Sequence, residues 1–237
     1  MLFTLKRGNY SLEMNIGDKL IEEKSETTFL GIEIDNKLNW KAHIKHLCNK
    51  ISKIIAILRF LRSSFPKRIL KTIYMSLIHS YVNYCNIIWG AAEKGNLNPI
   101  LILQKKAVRI ISKSSYLHES LPLFQSLEIL TVYQVYILNC SLFIHKCIYK
   151  NLFPQFKQQI IQTSSVHSYN TRNGNLLRVI CRARLRLCKR SFLCKGITIW
   201  NELNENTVKK INFFSFKKDM KKFLIFNPDF VDKIEIN

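Results

Sequence analysis

Phosphoryl transfer on two divalent metals needs carboxylates held a few ångströms apart. The five aspartates of this 237-residue chain stand at positions 18, 35, 219, 229 and 232, and none are neighbours. Glu22 and Glu23 are adjacent, but on a strand adjacent side chains point to opposite faces. No Gly-x-Ser-x-Gly elbow is present, and the six histidines sit in helical stretches or linkers without an evident partner. Seven scattered glycines make neither a phosphate loop nor a dinucleotide fingerprint. The seven cysteines, at 48, 85, 140, 147, 181, 188 and 194, are odd in number and contain no Cys-x-x-Cys. They read as free thiols of an intracellular protein rather than as a disulfide framework or a zinc site. No catalytic residue and no metal ligand is assigned.

What remains is charge. Thirty-seven Lys and Arg face sixteen Asp and Glu, a formal net charge of +21. Such a surface attracts polyanions, either nucleic acid or an anionic membrane. The basic residues are interleaved with a core-forming pattern along the whole chain, which favours nucleic acid. Residues 129–144 are uncharged, but they include Thr131, Gln134 and Asn139. That run is also shorter than the roughly 18–20 apolar residues a span requires. The expectation is a soluble chain, with no membrane partner and no signal peptide. Three basic groups stand out: Lys41, Lys45 and Lys50; Lys105, Lys106 and Arg109; and Arg178, Arg182, Arg184 and Arg186. The first two groups read equally as solvated helix faces. The third places four like charges on one strand face, which is unfavourable unless a polyanion or acidic surface covers them.

These groups need elements to hold them. A composition of 47% hydrophobic residues with 15 Phe, 9 Tyr and 3 Trp supplies a core, and the few Gly and Pro favour long elements. Residues 1–5, 12–16, 19–22 and 28–34 read as short strands, with a hairpin ending in Phe29–Ile34. The opening Met1-Leu-Phe-Thr-Leu-Lys reads as a strand with nothing before it, as if the chain began inside a domain. Apolar residues at three- and four-residue spacing predict a helix over 39–62, capped by Asn39 or Asn36. Trp40 and Trp89 read as core. Further helices are predicted over 66–89, from Asn98-Pro99 to Ser112, near 120–127 and over 131–150. A polar stretch, 163–175, is the best candidate boundary. Residues 176–188 alternate with a period of two and read as a strand. Helices near 191–204 and 213–225 follow, and the last dozen residues are expected to fray. The chain is predicted mainly α. A small β segment (1–38) precedes a helical bundle (39–162), and a smaller mixed β/α region (163–237) follows.

Ordered blocks along the chain carry a resemblance. Phe29-Leu30-Gly31-Ile32 with Asp35, then Leu38-x-Trp40 and His43-Ile44, is similar to the end of the palm in reverse transcriptases of non-LTR retrotransposons of the jockey/LINE type. Lys71-Thr-Ile-Tyr74, Ser80-x-x-x-Tyr84, Trp89-Gly90 and Gln104-Lys-Lys-Ala-Val-Arg-Ile-Ile111 follow in the family's order. So do Pro122-Leu-Phe124, Leu127-x-Ile129-Leu130, His167-Ser-Tyr-Asn-Thr-Arg-Asn173, Gly196, Trp200-Asn201-x-Leu203 and Phe216-Lys-Lys. Together the blocks cover roughly residues 1–225.

The resemblance implies the thumb and downstream part of an RNA-directed DNA polymerase. The metal-binding Asp-Asp box of the family is not in this chain, so no cofactor is expected here, with Mg²⁺ serving the full-length polymerase. Phe29, Leu30 and Gly31 would be a primer grip, with Leu30 and Phe29 packing the hairpin and Gly31 allowing close backbone approach. For Gly31 a plain turn or bulge is the alternative. Lys37, Lys41, Lys45 and Lys50 would track the duplex. Lys105, Lys106, Arg109, Arg178, Arg182, Arg184 and Arg186 would add phosphate contacts. The implied partners are an RNA–DNA hybrid or RNA/DNA duplex and an upstream palm of the same polyprotein, at an intracellular site, nucleus or cytoplasm. A stand-alone basic nucleic-acid-binding protein from a decayed or domesticated element is the alternative, and a scaffold docking on an acidic protein is a third.

Overall fold

The computed structural model describes residue 3 and residues 13–162, 177–179, 188 and 191–234. It is mainly helical, with small antiparallel strand pairs. Strands β1 (Met14–Ile16) and β2 (Lys19–Ile21) form one exposed hairpin. Strands β3 (Glu26–Phe29) and β4 (Ile32–Asp35) form a second, in the register Glu26 to Asp35 and Phe29 to Ile32.

The second hairpin corrects the single strand expected over 28–34. Leu30 (φ 48°) and Gly31 (φ 77°) both take left-handed backbone, which makes a two-residue primed turn. Gly31 is therefore at the turn, where positive φ is free for glycine. Phe29 and Leu30 do not pack the hairpin. They are 64% and 73% exposed, because the turn sits at the hairpin tip, beyond the core.

Helix α1 (Lys41–Leu61) follows, and its buried face is His43, Ile44, Leu47, Ile51, Ile54, Ile55 and Leu58. The N-cap is Trp40, without a side-chain cap bond, and not the expected Asn39 or Asn36. Asn39, one residue earlier, accepts from the Lys41 N–H at 3.0 Å because Asp35 draws the chain into left-handed backbone at Trp40. The helix expected over 66–89 is divided. Helix α2 (Lys67–Ile73) runs through a π-helical turn (Tyr74–Ile78) into α3 (His79–Asn83), and Cys85 at φ 48° then breaks the chain before a single turn, α4 (Asn86–Trp89). Neither Gly nor Pro marks the break. It is fixed instead by Trp89, whose Nε1 donates to the Tyr84 carbonyl at 2.9 Å.

Helix α5 (Lys94–Ser112) starts earlier than Pro99 suggested, with Pro99 inside it and Gly95 one turn before. Helix α6 (Leu121–Ser126) leads to α7 (Val132–Tyr149), the central helix, which is opened by a reciprocal capping box between Thr131 and Gln134. Gln104 joins these elements. Its Nε2 donates to the Tyr74 hydroxyl (2.8 Å) and the Leu130 carbonyl (3.2 Å), and its Oε1 accepts from the Val132 N–H (2.7 Å).

After α8 (Pro154–Lys157), strand β5 (Ile160–Gln162) pairs with β6 (Leu177–Val179). The predicted basic strand is seen at its start in β6, which carries Arg178 in its backbone. Arg182, Arg184 and Arg186, and the polar stretch 163–175, lie outside the described residues. The Asn201 amide brackets β6 from the next helix, accepting from the Leu177 N–H (3.0 Å) and donating to its carbonyl (2.9 Å).

Helices α9 (Phe192–Asn201) and α11 (Phe213–Phe226) pack on α7, with α10 (Glu205–Val208) between them. The end of the chain does not fray as a whole. Helix α12 (Phe230–Lys233) is held because Phe230 and Ile234 are buried in the same core. Cys140 and Cys147 are buried, and Cys188 is exposed, among the free thiols. No helix among the described residues is long and apolar enough to cross a membrane.

Candidate nucleic-acid interface

The hairpin tip is exposed, yet it is held by a closed circuit of contacts. The Tyr84 hydroxyl donates to the Leu30 carbonyl at 2.7 Å, which ties the turn to the end of α3. Tyr84 in turn accepts from Trp89, and the Trp89 ring lies 5.6 Å from the His43 ring. His43 Nδ1 accepts from the Glu33 N–H at 3.4 Å, closing the circuit on β4. Burial, aided by the nearby His46 and Lys50 charges, pushes the His43 pKa down to about 4. The ring is thus neutral at pH 7 and free to accept.

Asp35 fixes the other end of the hairpin. Its buried carboxylate accepts from the N–H groups of Lys37 (3.0 Å), Asn39 (3.0 and 3.1 Å) and Trp40 (2.9 Å). This clamp bends the chain through two left-handed residues, Leu38 (φ 52°) and Trp40 (φ 65°), into the start of α1. Non-glycine residues hold such backbone only where their surroundings over-determine it. Leu30, at the tip, is a third case. A β-hairpin turn of this type favours Asn-Gly, so the leucine is there in spite of backbone preference.

Beside the hairpin, Lys41 and Lys45 stand one turn apart on the exposed face of α1, continued by Lys53. Lys41, Lys45, His46 and Asn49 face Glu26 and Glu33 across a shallow groove, and His46 Nδ1 lies 3.1 Å from the Glu33 carboxylate. The groove is therefore mixed in charge, while the outer stripe of the helix is basic. Lys37 is exposed on the loop leading into α1.

The other basic groups are not gathered on that stripe. Lys50 lies round the helix, with its ammonium 5.2 Å from the centre of the Tyr81 ring. Lys105, Lys106 and Arg109, expected to point outward, are half-buried on α5, which packs against α1. Arg109 Nε donates to the His118 carbonyl at 2.9 Å, and its guanidinium stands over Tyr116, so it organises the loop after α5. Trp40 and Trp89 are core residues.

Asp35, His43, Tyr84 and Trp89 form the support of the tip. All four lie in the family-like blocks, but composition and spacing alone gave no reason to join them. Among the described residues no group of three His, Cys, Asp or Glu is placed to hold a metal ion. Asp35 is engaged by backbone N–H groups and Asp219 by Lys210.

The chain is similar in sequence, over about half its length, to RNA-directed DNA polymerases of transposable elements. One relative is the probable RNA-directed DNA polymerase from transposon BS of Drosophila melanogaster. It is 28% identical over 134 residues, covering 55% of this chain and 15% of the relative. A second is the RNA-directed DNA polymerase from mobile element jockey of the same fly. It is 29% identical over 102 residues, covering 42% of this chain and 11% of the relative. These relatives support the resemblance to reverse transcriptases of non-LTR retrotransposons. The matched segment is thus a small share of the length of each relative. No family model and no solved structure matches the chain.

Proposed function

We propose that this chain is a template–primer-gripping segment of a retrotransposon RNA-directed DNA polymerase, equivalent to its thumb. One observation carries the reading: an exposed apolar hairpin tip, Phe29-Leu30-Gly31, whose Leu30 is held in left-handed backbone by Tyr84, stands on a hairpin clamped at its other end by Asp35, beside the basic stripe Lys41–Lys45. A surface that slides along a duplex must be rigid, must avoid base-edge hydrogen bonds and must neutralise phosphates. The tip supplies van der Waals contact to sugars without polar readout. Lys37, Lys41 and Lys45 supply charge, and Lys50 supplies it on the flank. Lys105 and Lys106 would lie further along the nucleic acid, and the sequence adds Arg178, Arg182, Arg184 and Arg186 as candidate phosphate contacts.

Nucleotide transfer belongs to an upstream palm of the same polyprotein, which would hold Mg²⁺ on its own carboxylates. The partner is an RNA–DNA hybrid or RNA/DNA duplex, in nucleus or cytoplasm. The test is binding of the purified chain to an RNA–DNA hybrid across a salt series, beside Lys41→Glu/Lys45→Glu. Loss of two phosphate contacts lowers the log–log salt slope by about 2. An unchanged slope and affinity in the double variant would remove the α1 stripe from the interface.

A further inference from the structure

The surface of α11 carries a second set of groups that the hairpin site does not use. Its inner face is spent on the core: Phe216, Met220 and Leu224 are fully buried, and Phe216 stacks on His145 of α7 at 4.5 Å. The Asn212 side chain caps its N-terminus, accepting from Phe214 and Ser215 N–H. Gln134 and Gln125 donate to the Leu224 and Ile225 carbonyls at its other end. The helix is therefore fixed in rotation as well as position.

Its outer face is then defined by spacing. Phe214, Lys218, Lys222 and Phe226 recur every four residues and form one outward stripe. The two rings are 78% and 68% exposed. Lys217 and Lys221 flank the stripe on the side of His79, whose pKa is lowered by burial and by these two charges. Among the described residues none of the four lysines takes a salt bridge. Asp219, the helix's carboxylate, is ion-paired with Lys210, which holds its pKa low, and Lys218 and Lys222 contribute.

We propose that this stripe is a binding site for single-stranded nucleic acid, separate from the duplex grip. Single strands are held without sequence readout by a basic track with aromatic platforms for stacked bases. The stripe has both: lysines in the middle and an exposed ring at each end. Twelve residues of helix separate the rings by about 18 Å, the reach of about five nucleotides at ~3.4 Å each. A lipid surface fits less well. An interfacial helix offers a continuous apolar face, and the apolar face of α11 is already buried in the core. The outer stripe interrupts its two rings with charge.

The experiment is fluorescence anisotropy of a labelled 20-nucleotide single-stranded RNA, titrated with the full chain at several salt concentrations. Lys218→Gln/Lys222→Gln should weaken binding and reduce the salt slope by about 1.4. Phe214→Ala/Phe226→Ala should weaken binding about 30-fold or more with the slope unchanged. Lys218→Arg/Lys222→Arg should retain binding, and circular dichroism of each variant checks that the fold is intact. RNA–DNA hybrid binding, which reads the Lys41–Lys45 stripe, should be little altered, so the two sites fail independently. The proposal is overturned if both α11 variants bind the single strand as the parent does. It is equally overturned if their loss appears only on phosphatidylserine vesicles.

Discussion

Removing the Asp35 carboxylate should release the hairpin from the helix bundle. The side chain is 6% exposed and receives three backbone N–H groups. A hydrogen bond to a charged acceptor contributes about 1.5–3 kcal/mol net. The Trp40 N–H is buried and bears that full amount, while those of Lys37 and Asn39 are nearer solvent and regain water. Counting one full and two half contributions gives about 3–6 kcal/mol. Relaxation of the left-handed Leu38 and Trp40 by about half returns about 1–2 kcal/mol of a strain of about 1–2 kcal/mol each. The net expectation for Asp35→Ala is a loss of about 3 kcal/mol, a large share of a typical stability of about 5–15 kcal/mol. With a urea m-value of roughly 2–3 kcal/mol/M, the midpoint should fall by about 1–1.5 M. Asp35→Asn keeps one carbonyl oxygen with two lone pairs and should lose about half as much. Urea titration followed by tryptophan fluorescence and far-ultraviolet circular dichroism measures both, and Trp40 reports directly on the clamp. A midpoint for Asp35→Ala within about 0.3 M of the parent, at unchanged slope, would refute the clamp.

Gly90→Ala should be severe, because a Cβ there would lie 2.5 Å from the Asn86 carbonyl oxygen and 2.6 Å from the Tyr136 ring. Overpacking of this kind costs about 3 kcal/mol, so the melting temperature should drop by roughly 6–12 °C. Gly95→Ala, which meets nothing within 4 Å, is the matched control and should melt like the parent. Acid should also weaken the fold through His43. Its folded pKa of about 4 lies below the ordinary 6.5, so the unfolded chain binds the extra proton and stability falls as pH drops through 6.5 toward 4. By pH 5 the loss is at most about 2 kcal/mol, and about 1 after allowance for solvent screening. His79 and His145, also lowered by burial, act in the same direction. Urea midpoints at pH 7.5 and 5 should therefore differ less in His43→Gln than in the parent, and equal pH dependence would exclude His43 as a contributor.

Long periodic elements were legible from the residues alone. The apolar spacing of α1 picks out Ile44, Leu47, Ile51, Ile54, Ile55 and Leu58 along one buried face, to which the fold adds His43, and the helix expected over 131–150 is α7 almost residue for residue. The turn at Gly31 was legible only as an alternative, because Phe29, Leu30 and Ile32 carry the signature of a strand and tertiary contact with Tyr84 helps select the bend. The division after α3 was hidden for a similar reason: Cys85 is neither glycine nor proline, and Trp89 dictates its left-handed backbone. Pro99 was misleading as a start signal, since the helix already runs from Lys94. Among the basic residues, spacing showed correctly that Lys41 and Lys45 share a face. It did not show that Arg109 is occupied by His118 and Tyr116, a consequence of how the chain turns after α5.

The blocks that carry the resemblance serve mainly the scaffold. Tyr74 and Gln104 hydrogen-bond to one another in the core, and Trp89, Phe124, Ile129, Trp200 and Phe216 are buried. Gly90 and Gly196 sit where a Cβ would press on Tyr136 and Ile144, and Asn201 brackets β6. Residues of this kind preserve relative positions of helices; they do not touch a ligand. The resemblance they carry therefore speaks to how the bundle is built. Nucleic-acid contact has to be argued from the exposed residues that the bundle positions. Within the first block the two roles divide cleanly: Asp35, Trp40 and His43 are buried, and Phe29, Leu30, Lys41 and Lys45 are exposed. A change in the first set should disturb stability and binding together, and a change in the second should disturb binding alone. That separation makes the exposed tip and the α1 stripe the decisive positions for testing the proposed grip.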